Sequence, residues 1–344
     1  MKAYTEFAVE ESVKILSIDS PTGYTEEAAC FVKEEFEKLG CSACRTGKGG
    51  VIVEIGGEGE GVLLEAHLDT LGGIVSEIKG NGRLKISPLG GLNPNNVETE
   101  TCRIVTKFDG VFEGTCQLVD PSVHVNLEYS ATQRTFDTVE IVLDEVVSSA
   151  EEVKKLGVSV GDIVCFEPRT RVTPSGYIKS RFLDDKLSVG ILLGFAKYVK
   201  EKGSLKRKVY LHVTAYEEVG HGGSASVPEG VVEAISVDMG CVGSKVTCTE
   251  RQVSICAKDS GGPYSYEVVK GLVAAAKREG ADYAVDVYPG YGSDVEATLR
   301  AGYDLRHGLI GPGVYASHGY ERSHKDAVEN TLKLLKAYLC KSED

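Results

Sequence analysis

Apolar positions recur at helical spacing from Glu6 to Ile18, with Phe7, Val9, Val13, Ile15 and Leu16 as the candidate buried face, until Pro21-Thr22-Gly23 breaks the pattern. Thr25 then reads as an N-cap for a second helix, Glu26 to Leu39, closed by Gly40. The β-branched runs Val51–Ile55 and Val62–Ala66 read as strands on either side of a Gly-rich turn, Glu58 to Gly61. From about Ile74 to Pro174 helical periodicity nearly vanishes. Short strands (Arg103–Lys107, Gly114–Val119, Val139–Leu143) alternate there with Gly, Asn and Asp turns, and one short helix, Ser149 to Leu156, interrupts them. Mixed texture resumes at Ser180. Helices are predicted over Val189–Lys200, Glu267–Glu279, Asp294–Ala301 and Ala327–Leu339, and strands over Val209–Ala215 and Val231–Val237. The pattern predicts an α/β fold with a central mixed sheet flanked by helices. It occupies residues 1–73 and 180–344, with a small β-rich domain inserted over 74–179.

The chemistry concentrates where strands end. The apolar run from Val209 carries straight into Glu217 and Glu218, followed by Gly220, Gly222 and Gly223. In an open α/β sheet ligands sit at such strand ends. Two adjacent acids there repel unless they are solvated or something positive holds them; one solution is a metal ligand beside a proton carrier. His67 ends another strand and Asp69 follows two residues later, on the same side of an extended chain, where its carboxylate could hold the ring's other nitrogen. Asp184 and Asp185 precede a helix; an acid there is either a cap or a bridge between two divalent ions. Asp238 ends a β-branched strand as a turn former or a ligand. His318 lies in a Gly-rich loop with Ser317 and Glu321, while His324 suits the start of the last helix. Histidines and carboxylates together, with no cysteine in place, suit two borderline ions such as Zn²⁺ or Co²⁺ better than an all-oxygen Mg²⁺ site.

Composition narrows the partners. A net charge of −13 without a basic block argues against nucleic acid or an anionic membrane surface. The N-terminal stretch has acids and no greasy core, so it does not read as a signal peptide, and no later segment reads as a membrane span. The ten cysteines are scattered, mostly within apolar runs, which points to a reducing, cytoplasmic setting. The Cys41–Cys44 pair follows a helix end and reads as packing rather than redox chemistry.

An ordered set of short motifs carries a resemblance over nearly the whole chain. These are Ala66–Asp69, Leu89–Gly91, Leu156–Val164, Leu183–Lys186, Glu217–Gly220, Val237–Asp238, Gly290–Asp294 and Ser317–Glu321. In this order they resemble the M42 dinuclear metal aminopeptidases, the glutamyl and tetrahedral aminopeptidases. The resemblance implies that His67 and Asp238 hold one ion, Glu218 and His318 the other, and that Asp184 bridges them. It makes Glu217 the general base and Asp69 the residue that orients His67. The substrates implied are short peptides with a free N-terminus. The insert is implied to be a dimerisation domain, with dimers assembling into a hollow dodecamer.

The sequence departs from that family pattern at Thr70, at Lys186 and at His221-Gly222. His221 could meet an acidic substrate side chain, bind a further ion, or simply face solvent. Lys258-Asp259 could shape the pocket for the first residue, Gly261-Gly262 could admit a close backbone, and Asp294 reads as a supporting residue. Tyr283, Tyr288 and Tyr291 suit either a carbohydrate platform or core packing, and no second pair of acids makes a glycosidase. The HLDT segment also resembles the M20 peptidases and amidohydrolases, but there the extra domain follows the position of Asp238. A fold relative that keeps its ligands only for assembly is the non-enzyme alternative.

Overall fold

Seven successive buried residues, Gly61–His67, form the strand on which the larger unit is built. Burial on both faces is what a strand flanked by parallel neighbours experiences. In the computed structural model, which describes residues 1–341, this strand runs parallel to Lys208–Thr214 on one side and Val231–Val237 on the other. Val231–Val237 is parallel in turn to Arg306–Tyr315. Antiparallel strands complete the sheet on both sides. Val51–Gly56 and Ser42–Arg45 extend it beyond Lys208–Thr214, and Glu321–His324, Tyr177–Ser180 and Arg171–Val172 continue it beyond Arg306–Tyr315. The mixed sheet with flanking helices is the α/β architecture anticipated from the sequence.

The parallel register decides where the chemistry falls. Thr214 pairs with His67, and Val237 pairs with Ile310. The chain therefore leaves several strands at one edge of the sheet, just before Glu217, just before Asp238 and at His67 itself. Behind this edge the first helix, Lys2–Leu16, packs on Leu183–Glu201. Two glycines allow that approach. A Cβ on Gly190 would stand 2.0 Å from Ser12 Oγ, and one on Gly194 would stand 2.9 Å from Ala8 Cβ.

Residues 306–315 contain three glycines and a proline, and 311–319 reads from the sequence as a close-packed loop. Arg306–Tyr315 is instead a ten-residue strand. Its glycines are there because neighbours come too near for a side chain: a Cβ on Gly311 would overlap the Asp238 carbonyl oxygen at 1.3 Å. Val253–Lys258 and Tyr283–Val287 are further strands that the sequence pattern does not announce.

The second unit spans Thr70–Pro168. It is a closed barrel whose strands run in the order Gly72–Ile78, Leu84–Leu89, Val139–Leu143, Val111–Leu118, Thr101–Val105 and Ile163–Phe166, all antiparallel to their neighbours. Closure leaves no unpaired edge. The short helix is Ala150–Lys155, with Ser149 Oγ accepting from the Glu152 N–H. Residues 169–180 belong to the larger unit, where Tyr177–Ser180 pairs with Glu321–His324. Among the described residues, no helix is long and apolar enough to cross a membrane.

Candidate active site

At the sheet edge the His67 ring is buried, with Nδ1 2.9 Å from the Asp69 carbonyl oxygen. A carbonyl only accepts, so Nδ1 carries the hydrogen and Nε2 faces inward. Nε2 lies 3.1 Å from Asp184 Oδ1 and 3.7 Å from Glu217 Oε2. The sequence suggests that the Asp69 carboxylate would hold this ring, yet its nearest oxygen is 3.8 Å from Nδ1. That carboxylate is occupied elsewhere. It accepts from the Glu217 N–H at 3.1 Å, from the Glu218 N–H at 3.4 Å and from the Thr22 hydroxyl at 2.6 Å. Asp69 thus acts on the turn that carries both glutamates.

His67, Asp184 and Asp238 each offer a ligand atom, and these atoms lie within 4.8 Å of one another. His318 Nε2 stands 3.7 Å from both Asp184 Oδ2 and Glu218 Oε2. Asp184 is common to the two groups, with one oxygen toward His67 and the other toward His318 and the Ser317 hydroxyl. Asp185 turns away and accepts from the His67 N–H at 3.1 Å; the peptide joining the two aspartates is cis.

The supporting residues are backbone anchors. Glu321, buried, accepts from the Asp184 N–H with one oxygen and from the His318 N–H with the other, at 3.1 and 3.0 Å. Asp294 accepts from the Gly223 N–H at 2.7 Å and from the Thr214 hydroxyl. Lys48 donates to the His221 carbonyl, to the Gly222 carbonyl at 3.1 Å and to Ser224 Oγ at 2.9 Å. Nothing in the isolated sequence marks Lys48, which sits in a short Gly-rich turn far from Gly222 along the chain. Positive φ angles at non-glycine residues offer a structural signal: Phe182, Tyr216, Ala316 and His318 lie within two residues of a candidate ligand or are one. Backbone held in that region at some energetic cost is common at functional sites.

The electrostatics suit a bound cation. Burial, followed by the charge of neighbouring carboxylates, pushes Glu218 well above its ordinary pKa and Asp238 up to about 7, with His67 pulling the other way. Glu217 is likewise held well above the usual range, by burial first. Burial alone would depress His67, but its hydrogen bond to Asp184 and the facing carboxylates outweigh that and hold it well above an ordinary histidine. Asp184 is also opposed by burial, yet His67, His318 and Ser317 bring it below its ordinary value. Crowded carboxylates that favour protonation, around an imidazole drawn toward positive charge, form a donor set that divalent cations would neutralise. The residues present therefore fit a metal centre on their own chemistry.

Asp184, Glu217, Glu218, Asp238 and His318 line a cavity of about 610 Å³. Met239, Cys241, Ser260 and Tyr291, with Gly220, Gly290, Gly292 and Ser317, complete the lining. Other candidates lie outside it. His221 is exposed and stacks on Tyr216 at 5.1 Å. Lys258 Nζ bonds the Asp259 carbonyl, and Asp259 is buried against the Tyr264 hydroxyl. Gly261 and Gly262 border a smaller cavity with Glu296 and His307. His324 caps the final helix, its Nδ1 accepting from the Asp326 N–H. Tyr288 is core, whereas Tyr291 reaches the cavity and donates to the Met239 carbonyl at 3.0 Å. Cys41 is buried and Cys44 exposed, both as free thiols.

A family model described as M42 glutamyl aminopeptidase matches residues 49–334. YhfE of Bacillus subtilis (strain 168), a candidate aminopeptidase, is 41% identical over 329 residues, covering 95% of each chain. The lysyl aminopeptidase of Pyrococcus furiosus is 26% identical over 176 residues, 51% of this chain and 49% of that one. Among solved structures, the TET1 peptidase of Pyrococcus horikoshii, described as assembling into a tetrahedron or a large octahedral shell, superposes with a TM-score of 0.86 at 23% identity. It covers 97% of this chain and 100% of its own.

Proposed function

Because the chain belongs to the M42 glutamyl aminopeptidase family and is a peptidase, we propose that it is a dinuclear metal-dependent aminopeptidase releasing N-terminal residues one at a time from short peptides. The observation that supports this reading most is Asp184, whose two oxygens face different histidines: His67 at 3.1 Å and His318 at 3.7 Å. His67 and Asp238 would hold one ion, Glu218 and His318 the other, and Asp184 would bridge them. Zn²⁺ or Co²⁺ suits this nitrogen and carboxylate set. When bound, such ions polarise the scissile carbonyl and activate water.

The remaining work falls to the protein. Glu217 is half-buried beside the ligand cluster without being needed as a ligand, and its raised affinity for a proton suits a group that accepts one from water and returns it to the leaving amine. Asp69 fixes the backbone from which Glu217 projects. The substrate's free α-amine would meet the carboxylate-rich face of the cavity, which selects an exposed N-terminus over an internal bond.

The proposed assembly is a homo-oligomer, with dimers formed through the inserted barrel and combined into a dodecamer. The fold relationship to the TET1 peptidase supports it, as do exposed apolar side chains on the barrel unit, Phe108 at 91% and Leu127 at 90%. Free cysteines suit a cytoplasmic setting. The test of the activity is chelation followed by Zn²⁺ or Co²⁺ restoration, assayed on a free-amine peptide and its N-acetylated form. Restored cleavage of the free-amine peptide alone is expected. Cleavage of the blocked peptide alone favours an amidohydrolase of the M20 kind, and metal binding without turnover favours a role in assembly.

A further inference from the structure

The part of the cavity lining outside the ligand cluster has a composition that bears on selectivity. Its side chains include Met239, Cys241, Ser260 and Tyr291, and Gly290 and Gly292 add bare backbone. Among the described residues, no lysine or arginine lines the cavity, and every carboxylate that lines it belongs to the proposed ligand and base cluster. The nearby ionic pair suggested by the sequence is turned away. Lys258 is exposed and bonded to the carbonyl of Asp259, while the Asp259 carboxylate is committed to the Tyr264 hydroxyl and the Gly261 N–H.

The wall is also held in place. Tyr291 donates its hydroxyl to the Met239 carbonyl at 3.0 Å, and its N–H donates to Ser260 Oγ at 2.9 Å. The Ser260 N–H returns a bond to the Tyr291 carbonyl at 3.1 Å, and the Cys241 N–H donates to the Tyr288 hydroxyl at 3.2 Å. Cys241 and Tyr291 pack against a core cluster containing Tyr288, Tyr264 and Cys256. These bonds anchor the wall residues to one another and to the core.

We propose that the enzyme selects N-terminal residues with uncharged, chiefly apolar side chains, and that Met239, Cys241 and Tyr291 form the surface that reads them. This rests on the aminopeptidase reading above and names its substrate class. It runs against the glutamyl preference in the family's description. A glutamate side chain would exchange water for a thioether, a thiol and an aromatic face, with no lysine or arginine of this chain lining the cavity to pair it. A lysine side chain would find no carboxylate free of the proposed metal centre. Desolvating an unpaired charge is unfavourable, whereas an apolar side chain gains from the same transfer.

The test is a panel of aminoacyl p-nitroanilides (Leu, Met, Phe, Glu and Lys) on the metal-loaded full-length protein. The expected result is a kcat/KM for the best of Leu, Met and Phe roughly a hundredfold above both Glu and Lys. A best rate on Glu or Lys, or a profile flat within about threefold, overturns the inference while leaving the aminopeptidase reading intact. No release from any of these substrates, or from free-amine peptides, overturns both. In Cys241→Arg, a cation placed on this wall should raise the Glu-to-Leu ratio of kcat/KM by at least about tenfold; an unchanged ratio in a folded variant removes Cys241 from the reading surface. The wild-type panel decides the substrate class whether or not that variant folds.

Discussion

The Asp69 carboxylate accepts the backbone N–H of Glu217 at 3.1 Å, tying the strand that ends in His67 to the turn that carries the proposed base. One residue thus positions two others, through its carbonyl for His67 and its carboxylate for Glu217. Replacing it by asparagine should leave the carbonyl contact in place while turning one acceptor oxygen into a donor that faces N–H and O–H groups. Asp69→Asn is expected to lower kcat by roughly 10- to 100-fold with a smaller change in KM. Steady-state kinetics on a free-amine peptide check this, and a change confined to KM would remove Asp69 from the positioning of Glu217.

Lys48 grips the other end of the same turn through the His221 and Gly222 carbonyls and Ser224 Oγ. Gly222 lies directly against Glu217, since a Cβ there would come within 2.9 Å of the Glu217 nitrogen. Lys48→Met should therefore lower kcat, and Lys48→Arg should recover part of the loss. Loss of these bonds also predicts about 1–3 kcal/mol of destabilisation. Denaturant unfolding and kinetics on the same preparations separate the two effects. Equal turnover in all three proteins would show the turn to be rigid without its lysine.

Gly311 lets the strand Arg306–Tyr315 pass the Asp238 carbonyl, where a Cβ would overlap it at 1.3 Å. The backbone must move to admit even a methyl group. Gly311→Ala is expected to lose more than about 3 kcal/mol of stability and to weaken metal binding through Asp238. Thermal unfolding with metal analysis of the folded fraction checks both, and a variant as stable as the parent would contradict the packing described here.

Glu296 supplies a pH dependence outside the proposed metal centre. Burial, then its hydrogen bond to and the charge of Asp259, raise its pKa to about 7, with Arg300 partly opposing. The folded state holds the proton more tightly than the unfolded chain, so this contribution is complete below about pH 4.5 and is lost as pH rises through about 7. Glu296→Gln should flatten that part of the stability profile and be more stable than the parent at pH 8 by roughly 1–2 kcal/mol. Urea melts across this range test the sign; an unchanged slope would show that the pair does not share a proton.

What could be read in the sequence follows from which signals are local. Helices such as Glu26–Lys38 and strands such as Val231–Val237 carry their own periodicity, and their positions in the structure lie within a residue of the pattern. The barrel-shaped insert was legible as a loss of helical period, although its strands Gly72–Ile78 and Leu84–Leu89 were masked by Gly, Ser and Pro. Arg306–Tyr315 was hidden for a different reason: its glycines answer to Asp238 and Thr249, partners that no window along the chain reveals. The acids and histidines of the site stand out because polar residues ending apolar strands are conspicuous. Lys48 and the backbone role of Glu321 do not, since each acts on atoms every residue possesses.

The most direct measurement of the central claim is a paired one on Glu217→Gln: bound metal per chain, and turnover on a free-amine peptide. Glutamine keeps the shape of the side chain and removes its ability to carry a proton away from water. Two ions per chain should remain, and kcat should fall roughly a thousandfold. Undiminished turnover would contradict the role given to Glu217, and a parent protein that binds no divalent metal would contradict the centre itself.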